Sequence, residues 1–178
     1  MDILVRRAHP SEYDAVGHLT AEAYVADGHV TRDPDGYEQV LRDAPRRARE
    51  AELLVAVAPE TDEVIGTVTF AVHGTPYAEI SRDATEGEFR MLAVSPAARG
   101  RGAGEALVRA VLERARELGL SRVVMSTKPQ MVRAHRVYHR LGFTRTPERD
   151  WSPIPGVDLV TYARDVAAEG PLSPGGDA

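Results

Sequence analysis

Apolar and polar positions along this chain recur with two periods, and the places where the period changes outline its elements. Ile3 to Arg7 alternates as a short strand, and His9-Pro10-Ser11 stops it, with Ser11 placed to cap a helix running to about Ala26. Within that helix Val16, Leu19, Ala23 and Val25 keep roughly helical spacing. Asp33 to Glu50 reads as a second helical region that Pro45 kinks or splits. Glu52 to Ala58 and Val64 to Val72 are strand-sized and rich in valine, isoleucine and threonine, and Pro59-Glu60-Thr61-Asp62 between them predicts a hairpin turn. Thr75 to Gly87 reads as a loop and Glu88 to Val94 as a strand, which Ser95-Pro96 breaks.

A helix from about Gly102 to Leu118 follows, with Leu107, Ala110, Val111, Ala115 and Leu118 as its buried stripe and Gly119 as its stop. Arg122 to Ser126 is the next strand, and Pro129 opens a helix that reaches Leu141, where Gly142 closes it. Phe143 to Thr146 and Val157 to Ala163 form a last strand pair around a proline-rich loop. The order β-α-α-β-β-β-α-β-α-β-β predicts an α/β chain, a mixed sheet with helices packed on it. Residues 1–166 are expected to make one domain. Residues 167–178, small, polar and rich in glycine and proline, are expected to be a disordered tail.

Composition narrows the function. The 178 residues contain no cysteine, which removes disulfides, thiolate nucleophiles and cysteine-ligated metals together. A net charge of −5 argues against a broad nucleic-acid surface, although arginine clusters still matter locally. Met1 to Arg7 lacks the apolar stretch of a signal peptide and no later run approaches a membrane span, so a cytoplasmic protein is expected, with no membrane partner. His135 and His139 are four apart on a helix, yet no glutamate follows His135 and no third ligand is apparent, so no metal is expected. Asp27, Asp33, Asp35, Glu38 and Asp43 form an acidic stretch that reads as a solvated surface or as an attraction for a cationic amine.

The most informative segment is Arg99-Gly100-Arg101-Gly102-Ala103-Gly104, between a strand and a long amphipathic helix. A helix N-terminus presents unpaired N–H groups and partial positive charge, and glycines let an anion approach the backbone. Glu105 and Ala106 stand where a P-loop needs lysine and serine or threonine, and the even spacing of the glycines is not the dinucleotide fingerprint.

The stretch does fit R/Q-x-x-G-x-G/A, as Arg99, Gly102 and Gly104, and here the chain resembles the GNAT acetyltransferases. Leu92-Ala93-Val94-Ser95-Pro96 is similar to the strand and proline that precede this turn in the family. Ala134, Tyr138 and Gly142-Phe143 are similar to its late helix, and the order of elements matches over roughly residues 3–165. One position departs: Met131 stands where the family often has asparagine.

The resemblance implies a central, mostly antiparallel mixed sheet, splayed between two parallel strands where acetyl-CoA lies, with helices on both faces. It implies that the pantetheine arm pairs with the backbone of Leu92, Ala93 and Val94, and that the pyrophosphate meets the amides of Arg99, Gly100, Arg101, Gly102, Ala103 and Gly104. The acceptor, a primary amine, attacks the thioester directly without a metal, and an amide near Val94 stabilises the oxyanion. Tyr138 is the implied proton donor to the leaving thiolate. Glu88 is the candidate base, with Glu86 behind it, because alternation puts Glu86, Glu88, Arg90, Leu92 and Val94 on one face unless a bulge intervenes. Trp151 is placed to wall the acceptor site, to join a homodimer interface or to cover the core. An acyl-CoA-binding module without turnover, and transfer to a hydroxyl, stay open.

Overall fold

The computed structural model describes residues 2–33 and 36–166, so the tail expected over 167–178 lies outside the described residues. The sheet starts at an edge with β1 (Leu4–Arg7), followed by β2 (Glu52–Ala58), β3 (Glu63–Val72) and β4 (Glu86–Val94), each antiparallel to its neighbour. β4 then pairs in parallel with β5 (Arg122–Thr127). Beyond β5 runs the antiparallel β8 (Val157–Asp165), which carries β6 (Thr144–Arg145) and β7 (Trp151–Ile154). Among the described residues only the β4–β5 pairing is parallel, which makes the sheet mixed and mostly antiparallel.

Two helical layers cover this sheet, and β2 shows why its sequence is apolar throughout. Leu53, Val55 and Val57 pack with Val16 of α1 (Tyr13–Ala26) and Ala44 of α3 (Ala44–Glu50). Leu54, Ala56 and Ala58 point the other way, toward Leu107, Val111 and Leu112 of α4 (Ala103–Glu117). A strand buried on both faces cannot afford polar alternation. The short α2 (Tyr37–Arg42) joins the first layer, and α5 (Val132–Arg140) the second, where its Tyr138 enters the main core.

Local chemistry moves several boundaries from their expected places. The break between α2 and α3 falls at Asp43, where ψ is 64° and the carboxylate accepts the amide of Arg46, with Pro45 in the first turn of α3. Arg47 is fully buried and ties the two helices by donating to the Leu41 carbonyl at 2.7 Å. α5 begins at Val132 rather than Pro129, because Met131 has ψ of 59°. Leu118 is 41% exposed, past the end of α4, while Val108 and Leu112 complete the buried stripe. β7 was not foreseen, since it contains Pro153; it pairs only with β8, where a missing N–H is tolerated. Among the described residues no helix is long and apolar enough to cross a membrane.

Candidate active site

β4 and β5 pair only from Glu86 to Glu88, against Arg122 to Val124, and then part. The separation leaves the rest of the β5-facing edge of β4 without a strand partner. A bulge accompanies it: Thr69 pairs with Arg90 and Thr67 with Ala93, so Met91 and Leu92 together oppose Val68. Met91 is held at φ of +56°, an unusual angle for a side chain of this size, and its 4% exposure shows how tightly packing holds it.

A cleft of about 1090 Å³ opens at this place. Its floor is Leu92, Ala93 and Val94; one wall is the turn of Ala98, Arg99 and Gly100 with residues Gly102 to Glu105 at the start of α4. Tyr24, Asp27 and His29, at and beyond the end of α1, form a second wall, and the third is α5 with the Gln130-Met131 turn before it. Lys128 Nζ donates to the His29 carbonyl and Arg99 donates to Asp27 at 2.6 Å, so the segment after α1 is fastened to both other walls.

The glycine turn has the form an anion requires. Gly100 and Gly102 adopt φ of +79° and +86°, and an added Cβ at either would meet nothing within 4 Å. Gly102 is the N-cap of α4 and has no side chain to accept from the first turn. Ala106 is the first residue of α4 whose amide finds a backbone acceptor, the Gly102 carbonyl, at 3.0 Å. The amides of Ala103, Gly104 and Glu105 therefore have no acceptor among the described residues, and these residues line the cleft with the positive end of a 15-residue helix behind them. Of the two arginines expected here, Arg99 lines the cleft, whereas Arg101 leans toward Glu60, 3.5 Å away. This arrangement of uncapped amides and open space fits a pyrophosphate, and the free edge of β4 fits an extended arm.

Tyr138 is absent from the cleft lining and turns from α5 into the core, only 3% exposed, among the rings of Phe89, Phe143, Tyr162 and His135. Its hydroxyl makes no hydrogen bond among the described residues. Burial, reinforced by the phenols of Tyr24 and Tyr162, holds its pKa far above the ordinary value, so the group stays protonated. His135 is fixed beside it, its Nε2 donating to the Lys128 carbonyl at 3.1 Å.

The bulge corrects the expected placement of Glu88. Phe89 packs into the core beneath α4 and α5, and Leu92 and Val94 pack against the same core. Met91 instead packs with α1 and α2, and Glu88 reaches the loop before β4, so Glu88 and Leu92 lie on opposite faces. Glu88 is 1% exposed and absent from the cleft lining; its carboxylate accepts the amides of Glu79, Ile80 and Ser81 at 3.2, 2.8 and 3.1 Å. Burial raises its pKa and the three amides pull against that rise. Glu86 is also committed: Arg149 donates to both its oxygens at 2.8 Å, which holds its carboxyl below the usual range despite burial.

The acidic stretch is likewise engaged. Glu38 accepts from Arg32 and Arg42, Asp27 from Arg99, and Asp43 from the Arg46 amide, while Asp35 lies outside the described residues. Trp151 starts β7 half-buried, and its indole N–H is enclosed without an acceptor among the described residues. Among the cleft residues that sequence reasoning missed are Tyr24, His29, Gln130 and the arginines of α5. Only the last left a signal, the spacing of Arg133, Arg136 and Arg140 along one helical face.

A helix N-terminus open to a cleft that continues along a splayed sheet has the shape to receive a phosphorylated carrier with an extended arm. Residues 14–143 match the model of the Acetyltransferase (GNAT) family, and the chain belongs to that family. It is 36% identical over 117 residues to a mycothiol acetyltransferase of Stackebrandtia nassauensis, an alignment covering 63% of this chain and 36% of the relative. The chain thus spans well under half the length of the curated mycothiol acetyltransferases it matches. A GNAT acetyltransferase structure from Staphylococcus aureus shares the fold at a TM-score of 0.72 and 15% identity, over 93% of this chain and 99% of that one. The structure of yncA from Salmonella typhimurium, solved with its cofactor acetyl-CoA, superposes at a TM-score of 0.64 and 21% identity, over 97% and 99% of the two chains.

Proposed function

We propose that the protein transfers an acetyl group from acetyl-CoA to the nitrogen of a primary amine by direct attack. The observation that carries this reading is the uncapped start of α4 opening into a cleft continuous with the free edge of β4. The amides of Ala103, Gly104 and Glu105 hold the pyrophosphate, and the backbone of Leu92, Ala93 and Val94 receives the pantetheine arm as an added strand. Bound there, acetyl-CoA supplies an activated thioester. An amide of β4 near Val94 offers a hydrogen bond to the carbonyl oxygen as charge develops on it. Tyr138, kept protonated by burial though absent from the cleft lining, is the proposed hydrogen-bond donor to the departing sulfur, and its phenylalanine variant tests that role.

Glu88 anchors residues 79–81 in this reading, since three amides occupy its carboxylate. The amine's proton then goes to water in the cleft, and the role of base first expected at Glu88 is decided by the glutamine variant described below. Use of acetyl-CoA supports the cytoplasmic location expected from the sequence.

A thiol-release assay with acetyl-CoA and a panel of amino acids, polyamines, aminoglycosides and peptide N-termini tests the proposal, with hydroxyl analogues as controls. The expected result is thiol release with at least one amine and an amide product by mass spectrometry. Release only with hydroxyl acceptors contradicts nitrogen as the target, and tight binding with no turnover across a broad panel favours a sensor of acyl-CoA.

A further inference from the structure

We propose that Arg133 and Arg136, on the exposed rim of α5, form a subsite for the 3′-phosphate of coenzyme A, so that the cleft selects coenzyme A over its 3′-dephospho form. The inference rests on the cofactor reading above and adds a recognition element to it.

Arg133, Arg136 and Arg140 occupy positions i, i+3 and i+7 of α5, and all three line the cleft. Arg140 reaches Glu105 in the first turn of α4 at 3.4 Å, which sets the C-terminal end of α5 beside the glycine turn. Arg136 and Arg133 continue the row away from that turn, each step about one helical pitch, roughly 5 Å. Both are exposed, and among the described residues neither has a carboxylate within ion-pair distance. Most arginines of this chain do have one. Arg6 meets Glu12, Arg42 meets Glu38, Arg99 meets Asp27, Arg114 meets Glu52 and Arg149 meets Glu86. Two unmatched guanidinium groups facing one cleft, in a chain of net charge −5, call for an anion from outside the protein.

The carrier supplies that anion. With its pyrophosphate on the α4 amides, coenzyme A has one further charged group, the 3′-phosphate on the same ribose whose 5′ carbon carries the pyrophosphate. A guanidinium presents a planar fork of N–H donors that suits phosphate oxygens, and two forks a turn apart suit a dianion.

Isothermal titration calorimetry of the parent and of the Arg133→Ala, Arg136→Ala double variant, each with coenzyme A and with 3′-dephospho-coenzyme A, tests this. Both side chains are exposed, so the variant folds as the parent does, which circular dichroism checks. The parent is expected to bind coenzyme A about ten-fold more tightly than the dephospho form at low salt, a preference that shrinks as salt rises. The double variant should bind both compounds within about two-fold, with affinity for the dephospho form unchanged. A parent that binds both equally, or a variant that keeps the preference, overturns the subsite while leaving the cofactor reading intact. A parent that binds neither compound removes the cofactor reading and the subsite with it.

Discussion

Replacing Gly104 with valine separates ligand exclusion from folding at the glycine turn. Gly104 is the second residue of α4, has an ordinary helical φ, and would carry a Cβ 3.7 Å from Val94 Cγ2, a normal contact. Helix propensity favours valine over glycine by about 0.3 kcal/mol, so the melting temperature should stay within about 2 °C of the parent. The two methyl groups extend about 1.5 Å beyond that Cβ into the cleft that Val94 and Gly104 both line. A phosphate displaced by that distance loses its hydrogen bonds to the first-turn amides. Two such charge-assisted bonds, at about 1.5 kcal/mol each, correspond to roughly a hundred-fold or more in affinity. Alanine at the same position adds only the Cβ and should bind acetyl-CoA within about ten-fold of the parent. Gly102→Ala behaves differently, because φ of +86° imposes about 1–2 kcal/mol of backbone strain with or without ligand. Calorimetric titration with acetyl-CoA, alongside thermal unfolding, reads both effects. A folded Gly104→Val protein with parental affinity would show that the phosphates lie elsewhere.

Tyr138→Phe should lower kcat by about ten- to a thousand-fold while acetyl-CoA affinity stays put, and a parental kcat returns the residue to a packing role. Glu88→Gln should raise KM for the amine, as one carbonyl oxygen replaces a carboxylate holding three amides, and leave the acidic limb of kcat/KM in place. A displaced acidic limb with unchanged KM instead makes Glu88 the base. Arg149→Met should cost about 3–5 kcal/mol in urea unfolding, since it strands Glu86 without its partner at 7% side-chain exposure. Arg149 depresses the Glu86 pKa, so this pair's contribution is full above the unfolded value of 4.5 and is lost as pH falls through the depressed one. The variant should therefore lose that acid-dependent part of its stability, and a loss under about 1 kcal/mol would contradict the buried pair.

Elements whose cause is local were legible in the sequence. The hairpin of β2 and β3 follows from two β-branched runs around Pro59 to Asp62, and α4 follows from its apolar stripe and the glycines at each end. The glycine turn was legible for the same reason, because only glycine adopts φ near +80° without strain. The bulge at Met91 was not, since it is imposed by packing on a residue with no intrinsic preference for positive φ. Losing that single residue of register sent Glu88 to the opposite face from Leu92. The commitment of Glu86 to Arg149, 63 positions away, was equally hidden, because a strand-end carboxylate looks the same in sequence whether solvated or buried. Tyr24 lines the cleft because α1 packs on β3 and β4, which no spacing within α1 encodes.

The central claim is that acetyl-CoA lies in the cleft with its pyrophosphate on the start of α4, and amide NMR during titration with acetyl-CoA tests it most directly. Gly100, Gly102 and Gly104 should show the largest chemical-shift changes, followed by Leu92 and Val94, while the Arg6 and Arg7 amides of β1, at the sheet edge, stay still. Saturating acetyl-CoA that leaves the three glycine resonances unmoved contradicts the account.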